Sequence, residues 1–216
     1  MIGDVGSYRV GMRADAVVQL PRELGAVSET VWGWVARGVK DRRHGYHMPI
    51  LSTVTAAGEP SARMVVLRRV EVARRLVMCH TDVRSVKCDE VRGHRAHWTF
   101  YDPGLRMQVR AWGRAWVEAE TGLADEQWAG TTLSARRCYL APRVPGLEAD
   151  GPDVNVPVGM EGRVPTAEEA AAGRVNFGVF VTEVEGMDVL HLAADGHVRV
   201  RLEWVGGILG GSWVAV

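Results

Sequence analysis

Gly58-Glu59-Pro60-Ser61-Ala62-Arg63-Met64-Val65-Val66-Leu67-Arg68 is the stretch that decides the fold. It follows a β-branched-rich run, Ile50 to Ala56, across the turn Ala57-Gly58-Glu59, and continues as a strand from Ser61 to Val70. Side chains on a strand alternate between faces, so Arg63, Val65 and Leu67 are expected on one side and Met64, Val66 and Arg68 on the other. Arginines in an apolar strand are costly to bury without an anionic partner. Two readings follow: each reaches water or a carboxylate at a sheet rim, or each serves a bound anion.

Outward from this stretch the strands continue. Arg75 to His80 reads as a third strand, and a short helix is expected from about Arg84 to Arg92, capped by Ser85, with Val86, Asp89, Glu90 and Val91 suiting a surface helix. Arg95 to Tyr101 and Met107 to Glu118 are strands joined by the turn signal Asp102-Pro103-Gly104. Phe177 to Glu183, Val198 to Trp204 and Ser212 to Val216 finish the set, with Val189 to Leu192 leading into the turn Ala194-Asp195-Gly196. Short strands separated by turns predict a mainly β, α+β fold of the barrel or sandwich kind, not a βαβ sheet.

Two helices flank the strands. Val27, Val31, Trp34, Val35 and Val39 recur at three- and four-residue steps, so Val27 to Arg43 reads as an amphipathic helix capped by Ser28, with Lys40, Arg42 and Arg43 at its far end. Leu123 to Tyr139 reads as a helix with Trp128 and Leu133 facing inward. Residues 141–173 hold five of the nine prolines, which opposes regular structure apart from a short helix capped by Thr166. A loop of this length suits a lid or a partner-contacting arm. The stretch up to about Leu24 shows no clear period.

The 216 residues, 47% hydrophobic and 24% charged, suit one globular domain over residues 1–216, with 141–173 as a loop insertion. Lys+Arg and Asp+Glu are both 26, so no net charge steers the chain to nucleic acid, and an anion site must be local. Cys79, Cys88 and Cys138 are odd in number with no CxxC pair, which fits neither a disulfide framework nor zinc and suits a reducing compartment. No secretory leader or run of ~18 apolar residues is read, so a cytoplasmic protein without a membrane partner is the expectation.

Three segments carry candidate chemistry. Beside Arg63 and Arg68 stands His80-Thr81-Asp82-Val83-Arg84-Ser85-Val86-Lys87, a strand end and helix start. Its free N–H groups, the hydroxyls of Thr81 and Ser85, and the charges of Arg84 and Lys87 could form a phosphate cradle, or an ordinary cap with solvated bases. In Arg106-Met107-Gln108-Val109-Arg110, Gln108 offers a donor and an acceptor to a heterocyclic imide edge, or bonds to neighbouring backbone. His44 and His47 have no further ligands at metal spacing, so no metal site is assigned. Cys79 and Cys88 read as small core residues, and most tryptophans as core or interface mass.

Taken in order, the segments resemble the FMN-binding split-barrel family that includes pyridoxamine 5'-phosphate oxidase. The family pattern is P-x-A-R-x-V-x-L-[KR], then T-[DN]-x-x-S-x-K, then a strand with R/Q-Q-V-R. Here these stand as Pro60 to Arg68, Thr81 to Lys87, and Met107-Gln108-Val109-Arg110. The resemblance runs over roughly His47 to Trp116 and more weakly over Asn176 to Trp204. It implies FMN at the interfaces of a homodimer that acts on a small molecule. Arg63, Arg84, Ser85 and Lys87 would hold the phosphate. Met64, Val65 and Val66 would lie along the isoalloxazine, Thr81 nearby, Gln108 at its pyrimidine edge, and Arg68 between flavin and substrate. Val86 stands where a base often precedes the motif lysine, and Arg84 is the expected substitute.

The same resemblance points away from vitamin B6. The family's substrate-reading Arg-x-His pair corresponds to His197-Val198-Arg199, followed by Arg201, and the terminal R-L-x-P is absent. Trp128 to Tyr139 matches the substrate-phosphate helix poorly. His191 falls where the family often has a flavin-facing tryptophan, which leaves two readings, a flavin contact or a satisfied core histidine. His191, His197, Arg199 and Arg201 are the candidate substrate residues of a separate branch, and no residue is named as catalytic. The expected function is an FMN-dependent oxidoreductase of unknown substrate. The alternative is a flavin carrier or sensor without turnover. A cradle for a short monophosphate favours FMN over deazaflavin or haem.

Overall fold

The computed structural model describes residues 20–216, and the irregular N-terminal stretch lies almost wholly outside them. Its centre is a pair of long strands, β6 (Met107–Glu118) and β7 (Phe177–His191), whose ladder runs nearly their full length. On β6 the residues Met107, Val109, Ala111 and Ala115 face the core, while Gln108, Arg110, Trp112 and Arg114 alternate outward. β1 (Ile50–Val54), β2 (Pro60–Met64) and β5 (Arg95–Asp102) extend the sheet on one side, and β3 (Leu67–Glu71) and β4 (Leu76–Asp82) on the other, in the order β2-β1-β5-β6-β7-β4-β3. Every pairing is antiparallel.

The expected strand Ser61 to Val70 is two strands. β2 pairs with β1 and β3 pairs with β4, so the two outer edges of the sheet are consecutive in the chain and joined only by Val65 and Val66. One short stretch serving both edges curls the sheet into a barrel. The face assignment made for a continuous strand therefore ends at Met64.

β7 also divides. Its first half pairs with β4, and Gly186 to His191 pairs with β8 (Val198–Val205), which carries β9 (Ile208–Val214). The stretch Val189 to Leu192, expected to be separate from the strand starting at Phe177, is almost wholly part of β7. The change of partner coincides with a register shift between Trp112 and Gly113 against Val184 and Gly186. A Cβ on Gly113 would lie 1.8 Å from the Glu183 carbonyl oxygen, and one on Gly186 2.4 Å from the Trp112 ring. The bulge needs glycine on both strands.

Helix α1 (Leu24–Lys40) closes one side of the barrel with Val27, Val31, Trp32 and Val35 buried. It starts a turn earlier than the periodicity predicts: Glu23 is the N-cap and Ser28 lies inside the helix. The inner core is Leu51, Leu67, Trp98, Phe100, Val109, Phe180 and Met187. A second cluster forms on the other face of β4 and β7, where Met78, Phe177 and Val179 meet Trp128 and Tyr139. The expected helix Leu123 to Tyr139 is broken at Gly130–Thr132 into α3 (Gly122–Ala129), α4 (Leu133–Arg136) and a 3-10 turn, Arg137–Leu140. Thr132 caps the second piece through Ala135 N–H, and Leu133 is only half-buried. In the 141–173 loop, Thr166 and Glu169 form a reciprocal capping box at α5 (Ala167–Ala171).

Candidate functional site

The strand end after His80 forms a series of turns, and the regular helix α2 is only Lys87–Glu90. Ser85 does not cap it. Asp82 does the local work: its Oδ1 accepts from Arg84 N–H (2.9 Å), and its carbonyl accepts from Ser85 N–H (3.0 Å). The Asp82 carboxylate also binds the Arg84 guanidinium (2.6 and 2.9 Å), which donates further to Ala141 O (3.0 Å). Arg84 is thus committed to Asp82 and to the start of the long loop. Thr81 is buried and donates to Asp82 O (3.1 Å).

Arg63, Met64, Val65, Val66, Arg68 and Lys87 line one pocket of about 240 Å³, together with His80 and Tyr139. Lys87 Nζ donates to Ser85 Oγ (2.9 Å) and, among the described residues, meets no carboxylate within 4.0 Å. Arg63 does meet one. Its guanidinium donates to Glu90 (3.1 Å), Thr53 Oγ1 (2.5 Å) and Ser61 Oγ (2.6 Å). Of the two readings of a strand arginine, the carboxylate is therefore realised for Arg63. Glu90 and Val91, expected on a surface helix, are buried, because α2 turns that face onto β1 and the barrel.

The pocket opens through Val66, Arg68 and His80 into a groove of about 820 Å³, walled by Arg42, His47, Gln127, Thr131, Thr132 and Ser134 among others. Arg68 is exposed, lines both spaces and, among the described residues, has no carboxylate within 4.0 Å. His80 sits at the junction. Its Nε2 meets Gln127 Oε1 at 3.3 Å and its ring packs edge-on against Phe177 (4.8 Å). Burial pulls its pKa down to about 4, so the imidazole is neutral at pH 7. Burial likewise pushes the Tyr139 hydroxyl well above its usual range. His80, Gln127, Tyr139 and Glu90 were not singled out from sequence. His80 adjoins Thr81 in the quoted motif, whereas nothing local marks the others.

Gln108 lines neither space. It faces outward on β6 in a row with Tyr101, Leu190 and Arg199. One row along, Asp188 is buried and surrounded by Arg199 (2.7 Å), Arg110 (3.0 Å) and Arg201 (3.7 Å). Burial pushes the Asp188 carboxyl up, and the hydrogen bond from Arg199 and the charge of Arg110 more than reverse this, leaving it below the usual carboxylate range. The four candidate substrate residues therefore separate. Arg199 and Arg201 join Gln108 on the outer face, while His191 and His197 line a different pocket of about 420 Å³.

His44 and His47 have structural partners: His44 Nδ1 accepts from Tyr46 N–H (3.2 Å), and His47 Nδ1 bonds to Gly38 O (2.7 Å). Among the described residues no three of His, Cys, Asp or Glu gather as a metal site, and no helix is long and apolar enough to cross a membrane. Cys79 and Cys88 are buried and free, with burial raising the Cys79 thiol to about 12.

Residues 32–119, which span β1 to β6 and every pocket-lining residue but Tyr139, match the family model of the pyridoxamine 5'-phosphate oxidase FMN-binding domain. The chain is 32% identical over 106 residues to a pyridoxine/pyridoxamine 5'-phosphate oxidase of Cereibacter sphaeroides (strain ATCC 17029 / ATH 2.4.9), covering 48% of this chain and 51% of that one. It is 31% identical over 105 residues to the Ruegeria sp. (strain TM1040) protein of the same name, covering 48% and 50%. The match spans about half the length of these curated relatives. The fold is shared with a pyridoxamine 5'-phosphate oxidase-related, FMN binding protein from Nostoc punctiforme PCC 73102, at TM-score 0.65 and 20% identity over 87% of this chain and 96% of that one. It is shared also with PhzG from Burkholderia lata 383, solved with tetrahydrophenazine-1-carboxylic acid, at TM-score 0.62 and 18% identity over 86% and 90%. Over residues 32–119 the chain thus resembles the pyridoxamine 5'-phosphate oxidase FMN-binding domain, and it shares the split-barrel fold of proteins related to that oxidase.

Proposed function

We propose that this chain binds FMN in the pocket between β2, β3 and α2, and uses it to oxidise or reduce a small molecule other than pyridoxamine phosphate. The observation that carries the reading is the lining of that pocket. An unpaired Lys87 and the Arg63 guanidinium stand at one end, the strand break Met64–Val66 forms a wall, and the groove opens beyond. The donor set suits a phosphate monoester: Lys87 supplies charge, Ser85 a hydroxyl and Arg63 its remaining Nε–H. When bound, FMN would supply the hydride or electron transfer. The chain's own residues would anchor the phosphate, lay the ring along Val65 and Val66, and orient the substrate in the groove. Arg68 would offer that substrate a cation, and neutral His80 a hydrogen-bonding nitrogen fixed by Gln127.

The reading includes a homodimer. Gln108 and the arginines around Asp188 lie on the outer face of β6–β8, outside the Lys87 pocket, and a second copy could bring that face to the flavin. Within it Arg199 is already held on Asp188 by hydrogen bonds from Nε and Nη2, which supports a substrate different from that of the B6 enzymes. A cytoplasmic setting goes with the free thiols of Cys79, Cys88 and Cys138.

The test is flavin retention. Hydrogen bonds to charged groups are worth about 1.5–3 kcal/mol each, so Arg63→Ala with Lys87→Ala should weaken FMN binding by at least about a hundredfold. Undiminished affinity refutes the pocket. Arg199, committed to Asp188, also suits a carrier without turnover, and anaerobic mixing with NADH or NADPH separates the two. Bleaching of the bound flavin supports an enzyme, and no bleaching with any donor supports the carrier.

A further inference from the structure

Arg63 reaches the pocket already held from behind. Its NH1 group donates to Thr53 Oγ1 (2.5 Å) and Leu51 O (3.5 Å), and its NH2 group to Ser61 Oγ (2.6 Å) and Glu90 Oε2 (3.1 Å). Only Nε–H is left uncommitted by the chain. Thr53 Oγ1 in turn donates to the same Glu90 oxygen (2.5 Å), so carboxylate, hydroxyl and guanidinium form a closed triangle. The Glu90 side chain is 5% exposed and that of Arg63 26%. The carboxylate therefore lies on the protein side, and the guanidinium is its route to the pocket. Glu90 also ends the four-residue helix that Lys87 begins, so one turn carries a free cation and, behind the neighbouring arginine, a fixed anion.

We propose that Glu90 is the positioning and charge-setting residue of the phosphate cradle. It fixes Arg63 in one orientation and cancels its charge, so that the net positive charge facing a phosphate comes from Lys87 and Arg68, the lining cations that among the described residues meet no carboxylate within 4.0 Å. This rests on the FMN reading above. The physical ground is that a guanidinium at the end of an apolar strand needs a permanent counter-charge, and a buried carboxylate supplies one that water does not screen. Arg63 then contributes direction, and Lys87 and Arg68 contribute charge.

Glu90→Gln separates the two roles, because glutamine keeps an oxygen for Arg63 and Thr53 while removing the negative charge. Glu90→Ala removes both. The full-length protein, stripped of flavin, is titrated with FMN and with riboflavin, which lacks the phosphate. Glu90→Gln should raise the preference for FMN over riboflavin by about tenfold, as expected for one less opposing charge at the edge of a partly solvated pocket. Riboflavin affinity should stay at the wild-type value, and Glu90→Ala should gain less than Glu90→Gln. An unchanged preference in Glu90→Gln overturns the charge-setting role, and equal gains in the two variants overturn the positioning role. Should the Glu90 variants fail to fold, Lys87→Met combined with Arg68→Met gives the same decision from the surface. The pair should bring FMN and riboflavin affinities close together, and a large remaining preference for FMN would show that Arg63 is not compensated. Wild-type protein that binds neither flavin removes the FMN reading itself, whereas FMN binding with an insensitive Glu90→Gln removes this inference alone.

Discussion

His80→Gln, compared with wild type in urea at two pH values, tests how the wall between pocket and groove is built. Burial is the largest influence on His80, opposed by its bond to Gln127 and assisted by the nearby Arg68 charge, and it takes the imidazole from 6.5 to about 4. An unfolded chain takes up this proton near pH 6.5, while the folded chain resists until about pH 4. Between those values the unfolded state binds more protons, so stability rises with pH. The contribution is fully present above pH 6.5 and is lost as pH falls towards 4. At ~1.36 kcal/mol per tenfold change in proton affinity, the gap amounts to roughly 3 kcal/mol. That is a large share of the ~5–15 kcal/mol by which domains are stable. Wild type should therefore lose about 2–3 kcal/mol more than His80→Gln on going from pH 7.5 to pH 4.5. Other acid-labile groups, including His44 and His97, are common to both proteins and cancel in the difference. A wild-type-minus-variant difference that is the same at both pH values refutes the buried, neutral His80.

Two further perturbations probe the scaffold. Asp188→Asn leaves Arg110, Arg199 and Arg201 around a neutral amide. Because the arginines are partly solvated, a loss of about 2 kcal/mol is expected by calorimetry or urea unfolding, below the ~3–5 kcal/mol of a fully buried pair. Since the Asp188 carboxyl titrates low in the fold, the stability it provides is present above pH 4 and fades as pH falls through its lowered pKa; the variant should accordingly show a flatter acid limb. Gly113→Ala places a methyl group 1.8 Å from the Glu183 carbonyl oxygen, so the β6–β7 ladder must open. A cost of about 3 kcal/mol or more, with early hydrogen exchange along β6, is expected; wild-type stability would mean the bulge is not where the register shift puts it.

Sequence alone determined the features that repeat along the chain. Alternation on β6, the β-branched run of β1 and the turn at Asp102-Pro103-Gly104 are local patterns, so those strands were legible to within a residue or two. Arg63, Arg68 and Lys87 do line one pocket, but strand phase alone puts Arg63 and Arg68 on opposite faces; the break at Val65 and Val66 is what brings them together. Long-range pairing was not legible. The division of Ser61 to Val70 into two edge strands follows from barrel closure, which brings β3 to β4 and β2 to β1. Extension of β7 to His191 depends on finding β8 as a second partner past the bulge.

Counter-charges were hidden for the same reason. Glu90 and Asp188 each bind an arginine that the sequence offered for binding, but such a pair is created by packing, and a carboxylate 27 residues along the chain carries no local sign of its partner. Asp82, by contrast, stands only two residues before Arg84 in the quoted motif. His80 and Gln127, 47 residues apart, meet only because α3 packs against β7, the neighbour of β4 in the sheet. Sequence thus determined which strand and helix carry the cations. Tertiary structure decided which of those cations keep their charge for a ligand, because burial, not residue type, settles whether an arginine answers to a carboxylate or to a phosphate.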